Sequence, residues 1–212
     1  MALETPEYEV ARRFDDAELR TYAPNIVAET EVVGTREAAA SEGFRRLAGY
    51  IFGGNRGRAR VEMTAPVTMG GGQRIAMTAP VTMEGGQRIA MTAPVALATT
   101  AEGSWRVQFT MPRTWTLDTL PVPDDARVVL RAVPSRWMLV RRYQGGWSEA
   151  RRAEEEARVE SARAREGLTA LGAPVWARFD PPWKPGFLKH NEVWIEVAAP
   201  ITAPAQISPA NL

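Results

Sequence analysis

The stretch Arg74-Ile75-Ala76-Met77-Thr78-Ala79-Pro80-Val81-Thr82-Met83-Glu84-Gly85-Gly86-Gln87 decides how the rest of the chain is read. It is the second of three copies of a 14-residue unit; the first runs from Arg60 to Gln73 and the third opens at Arg88. A period this short is not that of a solenoid module, whose repeats span about 20–50 residues. Inside the unit Ile75, Met77, Ala79, Val81 and Met83 fall on one face and Ala76, Thr78, Pro80 and Thr82 on the other, the period of a strand with one apolar side. Gly70-Gly71-Gly72 and Glu84-Gly85-Gly86 supply the positive-φ positions that hairpin turns need, so a meander is expected. Pro66, Pro80 and Pro94 cannot donate to a ladder, and each strand is expected to be bulged or edge-like at its middle.

Met63, Met69, Met77, Met83 and Met91 lie on the apolar face of these units. Flexible thioethers fill irregular core gaps, which is the plainer reading. The sharper one makes them an adaptable wall for a flat ligand.

On the N-terminal side, Tyr8–Phe14, Glu18–Tyr22 and Ile26–Val33 read as strands, broken at Asp15-Asp16 and Pro24-Asn25. Thr35 is a helix N-cap, and Ala40, Phe44, Leu47 and Ile51 mark one face of the helix that follows, stopped at Gly53-Gly54. On the C-terminal side, Trp105–Met111, Arg127–Val133 and Trp137–Tyr143 read as strands. A helix from about Ser148 to Leu171 follows, with a small-residue face at Ala150, Ala153, Ala157, Ser161, Ala164, Leu168 and Leu171. Val175–Phe179 and Glu192–Val197 close the pattern. The order strands, helix, strands occurs twice, which predicts an α+β barrel of two halves with one helix each.

Composition narrows the chemistry. The 212 residues fit one domain and carry a net charge of +1, no cysteine and one histidine, His190. Disulfides, thiolate metal sites and cysteine nucleophiles are excluded, and no basic footprint for nucleic acid is present. His190 has no sequence-identifiable orienting partner and is expected to be solvated. Gly53-Gly54-Asn55-Arg56-Gly57 follows a helix and lacks a Gly-Lys-Ser/Thr ending, so it is not a phosphate loop. No catalytic or metal-ligating residue is identified, and a non-enzymatic protein is expected. The N-terminus has neither a basic nor an apolar leader-like run and no stretch reaches membrane-spanning length, from which a cytoplasmic location is expected.

Four motifs in sequence resemble the SOUL/heme-binding protein family, in what looks like a bacterial member: Ile-Ala-Met-Thr-Ala-Pro-Val, Tyr50-Ile51-Phe52-Gly53-Gly54-Asn55, Phe109-Thr110-Met111-Pro112, and Asp180-Pro181-Pro182-Trp183-Lys184-Pro185 followed by His190-Asn191-Glu192-Val193. The resemblance implies one domain over residues 6–198, with 199–212 as an extended tail. It implies a distorted antiparallel β-barrel with two helices and pseudo-twofold symmetry, similar to the effector-binding domains of bacterial regulators. It also implies heme or another tetrapyrrole bound in a shallow apolar site, as carrier or buffer. Carried over by position, Phe44 and Ala48 match apolar pocket positions on the first helix, Ile51 extends that face, Arg45 remains nearby, and Lys184 matches a basic residue facing a propionate. Two features depart from the family: Ser41 and Gly49 stand where some members carry basic residues, and one branch's axial histidine has no counterpart. Heme binding is therefore expected to be weak and without a strong protein ligand to iron. The competing expectation is a ligand-free regulatory or protein-interaction module on the same barrel; a heme-dechelating or heme-degrading enzyme ranks last.

Overall fold

The computed structural model describes residues 4–57, 86–146, 148–180 and 184–200. The first two repeat copies up to residue 85 lie outside the described residues, as do the meander expected of them, Pro181, Pro182, Trp183 and the segment 201–212.

Strands β1 (Tyr8–Arg13), β2 (Glu18–Tyr22), β3 (Asn25–Val33), β5 (Val95–Ala101), β6 (Ser104–Thr110), β8 (Val129–Val133), β9 (Arg136–Gln144), β10 (Val175–Arg178) and β11 (His190–Val197) form one curled sheet. A two-residue pair, β4 (Asn55–Arg56) and β7 (Val122–Pro123), stands apart. The order across the large sheet is β1-β2-β9-β11-β10-β5-β6-β3-β8, and every pairing is antiparallel.

With α1 (Arg36–Ile51) and α2 (Glu149–Arg165), the topology repeats: β3-α1-β5-β6 and β9-α2-β10-β11. The halves meet where β10 pairs with β5, Trp176 opposite Leu97. One ladder step outward, Trp176 faces Val193 and Leu97 faces Val107, and both valines are fully buried. The halves are also laced together, because β2 crosses to pair with β9 and β8 crosses to pair with β3. This is the pseudo-twofold half-barrel that the strand–helix order predicts.

Both helix starts follow from capping chemistry. Thr35 Oγ1 accepts the Ala38 N–H at 3.3 Å, and Ser148 Oγ accepts the Arg151 N–H at 3.2 Å. Gly53, at φ +115°, ends α1. The second helix stops at Arg165, not near Leu171, because Gly167 at φ +63° turns the chain first.

The predicted α1 face holds at Leu47 and Ile51, which are buried, and at Ala40, which packs against the core, but not at Phe44; the predicted α2 face needs rotation. On α1 the buried positions are Arg36, Ala39, Gly43, Leu47, Tyr50 and Ile51. A Cβ on Gly43 would sit 2.3 Å from Val107 Cγ2, so α1 lies hard against β6 at that point. A glycine is invisible to an apolar-spacing count, and its close approach turns the buried stripe away from Phe44. On α2 the buried residues are Glu155, Val159 and Ala162, while the predicted stripe Ala150, Ala153, Ala157, Ser161 and Ala164 faces outward. Arg141 on β9 draws Glu155 inward, its Nε 2.7 Å from Glu155 Oε2 and its Nη1 2.9 Å from Asp16 Oδ2.

The third repeat copy is not a strand along its motif. Ile89 is buried, Met91 packs partly against the core, Thr92 makes one isolated bridge, and β5 begins only at Val95, after Pro94. A residue without an N–H cannot continue a ladder, so regular pairing starts past it. The main core lies between the sheet and the two helices, and a smaller cluster (Tyr22, Met138, Val140, Ala177, Trp194) occupies the opposite sheet face.

Candidate ligand-binding site

The first helix carries most of the sequence-predicted site. Phe44 is 39% exposed, and its ring meets Phe109 of β6 edge-on, centroids 5.4 Å apart at 62°. One side of the ring is fixed by β6 while the other reaches solvent. Ala48, one turn on, is half-buried and extends this apolar edge. Arg45 is exposed beside them and pairs with Glu42. Arg46, its neighbour, is held by Glu42 at 2.7 Å and donates to Glu31 O at 3.1 Å. Two arginines thus share one carboxylate, which is held below the usual carboxylate range by its hydrogen bonds to Arg45 and Arg46.

Ile51 is not on that edge. It is 1% exposed and belongs to the main core, a consequence of the close approach at Gly43. It supports the site from beneath and presents no surface. Lys184 lies on the β10–β11 loop, where its Nζ is 2.7 Å from Asp180 Oδ1. Asp180 also accepts the His190 N–H, at 2.5 Å. Burial raises the Asp180 carboxyl, but Lys184 and the His190 N–H outweigh it, so it titrates below its ordinary value. Neither of these contacts reaches α1. The structure therefore brings Phe44, Arg45 and Ala48 together and ties Lys184 to its own loop.

The motif that precedes the third copy explains itself in contacts. Asn55 Nδ2 donates to Tyr50 O at 2.7 Å and to Gln87 O at 2.9 Å, while Asn55 Oδ1 accepts the Gln87 N–H at 2.9 Å. The Ile89 N–H donates to Ile51 O at 2.9 Å. A Cβ on Gly86 would stand 1.7 Å from Gly53 O, so only glycine lets the two segments meet. Tyr50-to-Asn55 and Gly86-Gln87-Arg88-Ile89 are two halves of one clasp that fixes the C-terminal end of α1.

A polar cluster on the face away from the helices was not legible beforehand. Arg20 and Glu192, each 1% exposed, pair with Arg20 Nη1 3.2 Å from both carboxylate oxygens. Glu18 accepts from Arg20 Nε at 2.8 Å, the Tyr8 ring covers the guanidinium at 4.2 Å, and Trp194 Nε1 donates to Glu192 at 2.7 Å. His190 Nε2 lies 3.2 Å from Glu192, and its ring stacks on Phe179 at 4.3 Å. The expected solvated histidine is thus half-buried and partnered. Burial raises the Glu192 carboxyl, yet His190, Arg20 and Trp194 bring it below the usual range. With so many partners the cluster is built to hold charge in place. The sequence signal was polar or aromatic residues at alternate strand positions, Glu18, Arg20 and Tyr22 on β2 and His190, Glu192 and Trp194 on β11.

No group of three or more acidic or histidine side chains that could hold a metal occurs among the described residues. No helix among the described residues is long and apolar enough to cross a membrane.

Comparison with solved structures shows the same fold at low identity. The chain is similar to the EcmrR C-terminal domain (TM-score 0.56, 9% identity, covering 90% of this chain and 98% of that one). It is similar to EcmrR in a complex with DNA (TM-score 0.55, 11% identity), covering 85% of this chain and 56% of that longer one. It also resembles a hydrolase from Listeria innocua (TM-score 0.50, 12% identity, covering 89% and 94%). No curated protein matches the chain. The family described as SOUL heme-binding protein matches residues 3–196. Nearly the whole fold, α1 and its clasp included, falls within that match, and the chain belongs to the SOUL heme-binding protein family.

Proposed function

We propose that this protein binds heme or a related tetrapyrrole against the outer edge of α1, as a carrier or buffer without catalytic turnover. The observation that carries the reading is Phe44, a large aromatic side chain left 39% exposed on a helix whose family binds heme. A ring braced edge-on by Phe109 loses little freedom on binding, and a porphyrin face offers it a planar apolar partner. Ala48 keeps the neighbouring turn low enough for a flat molecule to lie across it. Arg45 would meet a carboxylate side chain of the pigment by giving up part of its pair with Glu42, while Lys184 stays with Asp180 on the β10–β11 loop. His190 lies on the opposite sheet face, so the donor set around Phe44 supports apolar contact in place of an axial bond to iron. Affinity is accordingly modest.

A titration of the protein with heme, followed at the Soret band, tests this. Saturable binding is expected, weakened at least tenfold by Phe44→Asp. A curve that does not saturate at micromolar protein, or one untouched by the substitution, refutes it. The occupied state of Arg45 and Arg46 favours a second reading, in which the edge serves a protein partner and no pigment. A stoichiometric complex isolated colourless, with heme binding absent, would select that reading.

A further inference from the structure

Phe44 is not the only large apolar side chain that the first helix leaves in solvent. Phe52, the residue that closes α1, is 59% exposed. Its N–H still donates to Ala48 O at 3.0 Å, so the helical path continues through it before Gly53, at φ +115°, turns the chain away. The two rings are therefore related by helix geometry. Four residues advance about 6 Å along the axis and about 40° around it, so Phe44, Ala48 and Phe52 form an oblique row about 12 Å long with Ala48 at its middle. The row starts on the β6 side, where Phe109 braces Phe44, and climbs toward the solvent face of the helix. Between the rings the surface is low. Ala48 is half-buried, and Gly49 beside it is exposed, with open space where a Cβ would stand. Helix closure does not call for the Phe52 ring, since φ −91° and ψ 11° suit any residue. The clasp does not use it either, holding this turn through backbone atoms and Asn55.

We infer that Phe52 is a second contact residue of the α1 site, and that its separation from Phe44 selects the ligand by span. This rests on the reading that a pigment lies against α1. A full tetrapyrrole macrocycle laid over Ala48 meets both rings, whereas a single- or double-ring aromatic meets one. Phe109 fixes the Phe44 end, so the far end of the ligand is what remains to be specified, and Phe52 stands where that end arrives. Neither phenyl ring carries a polar atom, so the discrimination is by length and flatness.

The test titrates zinc protoporphyrin IX, followed by fluorescence, into the unsubstituted protein, Phe52→Ala and Phe52→Tyr, each checked for native circular dichroism. Loss of one aromatic contact is expected to weaken binding about fivefold in Phe52→Ala, and Phe52→Tyr to return it to within about twofold. In protein carrying ¹³C-labelled phenylalanine, the ring signals of both Phe44 and Phe52 should shift in the same saturating titration, a readout that a purely structural role at Phe52 would not move. 2-Naphthoate, a double-ring carboxylate, should displace the porphyrin only at about hundredfold excess or more. Unchanged affinity in Phe52→Ala while Phe44→Asp still weakens binding, an unmoved Phe52 signal, or displacement by equimolar 2-naphthoate would overturn the inference and leave the α1 site standing. Absence of saturable porphyrin binding in the unsubstituted protein would overturn both.

Discussion

At the residue scale, single atoms decide whether segments meet. Gly86 approaches Gly53 so closely that a methyl group has no room, because the atom in the way is a backbone oxygen. Gly86→Ala is expected to cost about 2–3 kcal/mol, the range of severe overpacking, read as a lower urea midpoint at constant slope. The Arg20–Glu192 pair sets a second test. Glu192→Gln leaves Arg20, 1% exposed, with Glu18 as its remaining carboxylate partner, so the loss is expected at the low end, about 3 kcal/mol, of the cost of breaking a buried pair. The pH dependence has a definite sign. Glu192, Glu29 and Asp180 all titrate below their ordinary values in the folded protein despite the burial that opposes it. They therefore add stability above the unfolded carboxylate values, and that stability is lost as pH falls through the lower folded values. Urea midpoints should hold level near pH 6 and decline below the ordinary glutamate value of 4.5. A midpoint that rises on acidification would contradict the pairing.

At the element scale, most strands and both helix starts were legible, because alternation and capping are local signals. Thr35 and Ser148 announce their helices, and β1, β2, β3, β6, β9 and β11 follow alternating runs. What the sequence concealed has physical causes. Gly43 hid the true contact face of α1, since the residue closest to β6 has no side chain to count. Glu155 hid that of α2, since a charge buried through Arg141 looks like a solvated position in any apolar pattern. Glu155→Ala is expected to destabilise α2 packing by about 3 kcal/mol, and Arg141→Met combined with Glu155→Leu to recover most of it. The β5 strand was hidden by its own neighbour: the conspicuous motif ends at Pro94–Val95, and the pairing lies in the plainer Ala96-Leu97-Ala98-Thr99 that follows. Residues 71–81 and 85–95 are identical in sequence, so deletion of residues 72–85 rejoins the same Gly-Gly-Gln-Arg-Ile-Ala-Met-Thr-Ala-Pro-Val onto β5. That deletion is expected to preserve the circular dichroism spectrum and the cooperative unfolding; loss of cooperativity would show that copy number matters to the fold.

At the scale of the whole molecule, the pseudo-twofold design separates two jobs. The half containing α1 leaves an aromatic edge exposed at Phe44, and the half containing α2 buries an ion network instead. The candidate site was therefore only partly readable. Phe44, Arg45 and Ala48 converge, Ile51 drops into the core, and Lys184 is committed to Asp180, a partner four residues away that a list of basic positions does not reveal. The account rests on pigment lying across α1, and its location can be measured. Titration of ¹⁵N-labelled protein with zinc protoporphyrin IX should shift amides around Phe44 to Ala48 first, at saturating and specific stoichiometry. Shifts that cluster away from α1, or none at all, would contradict it.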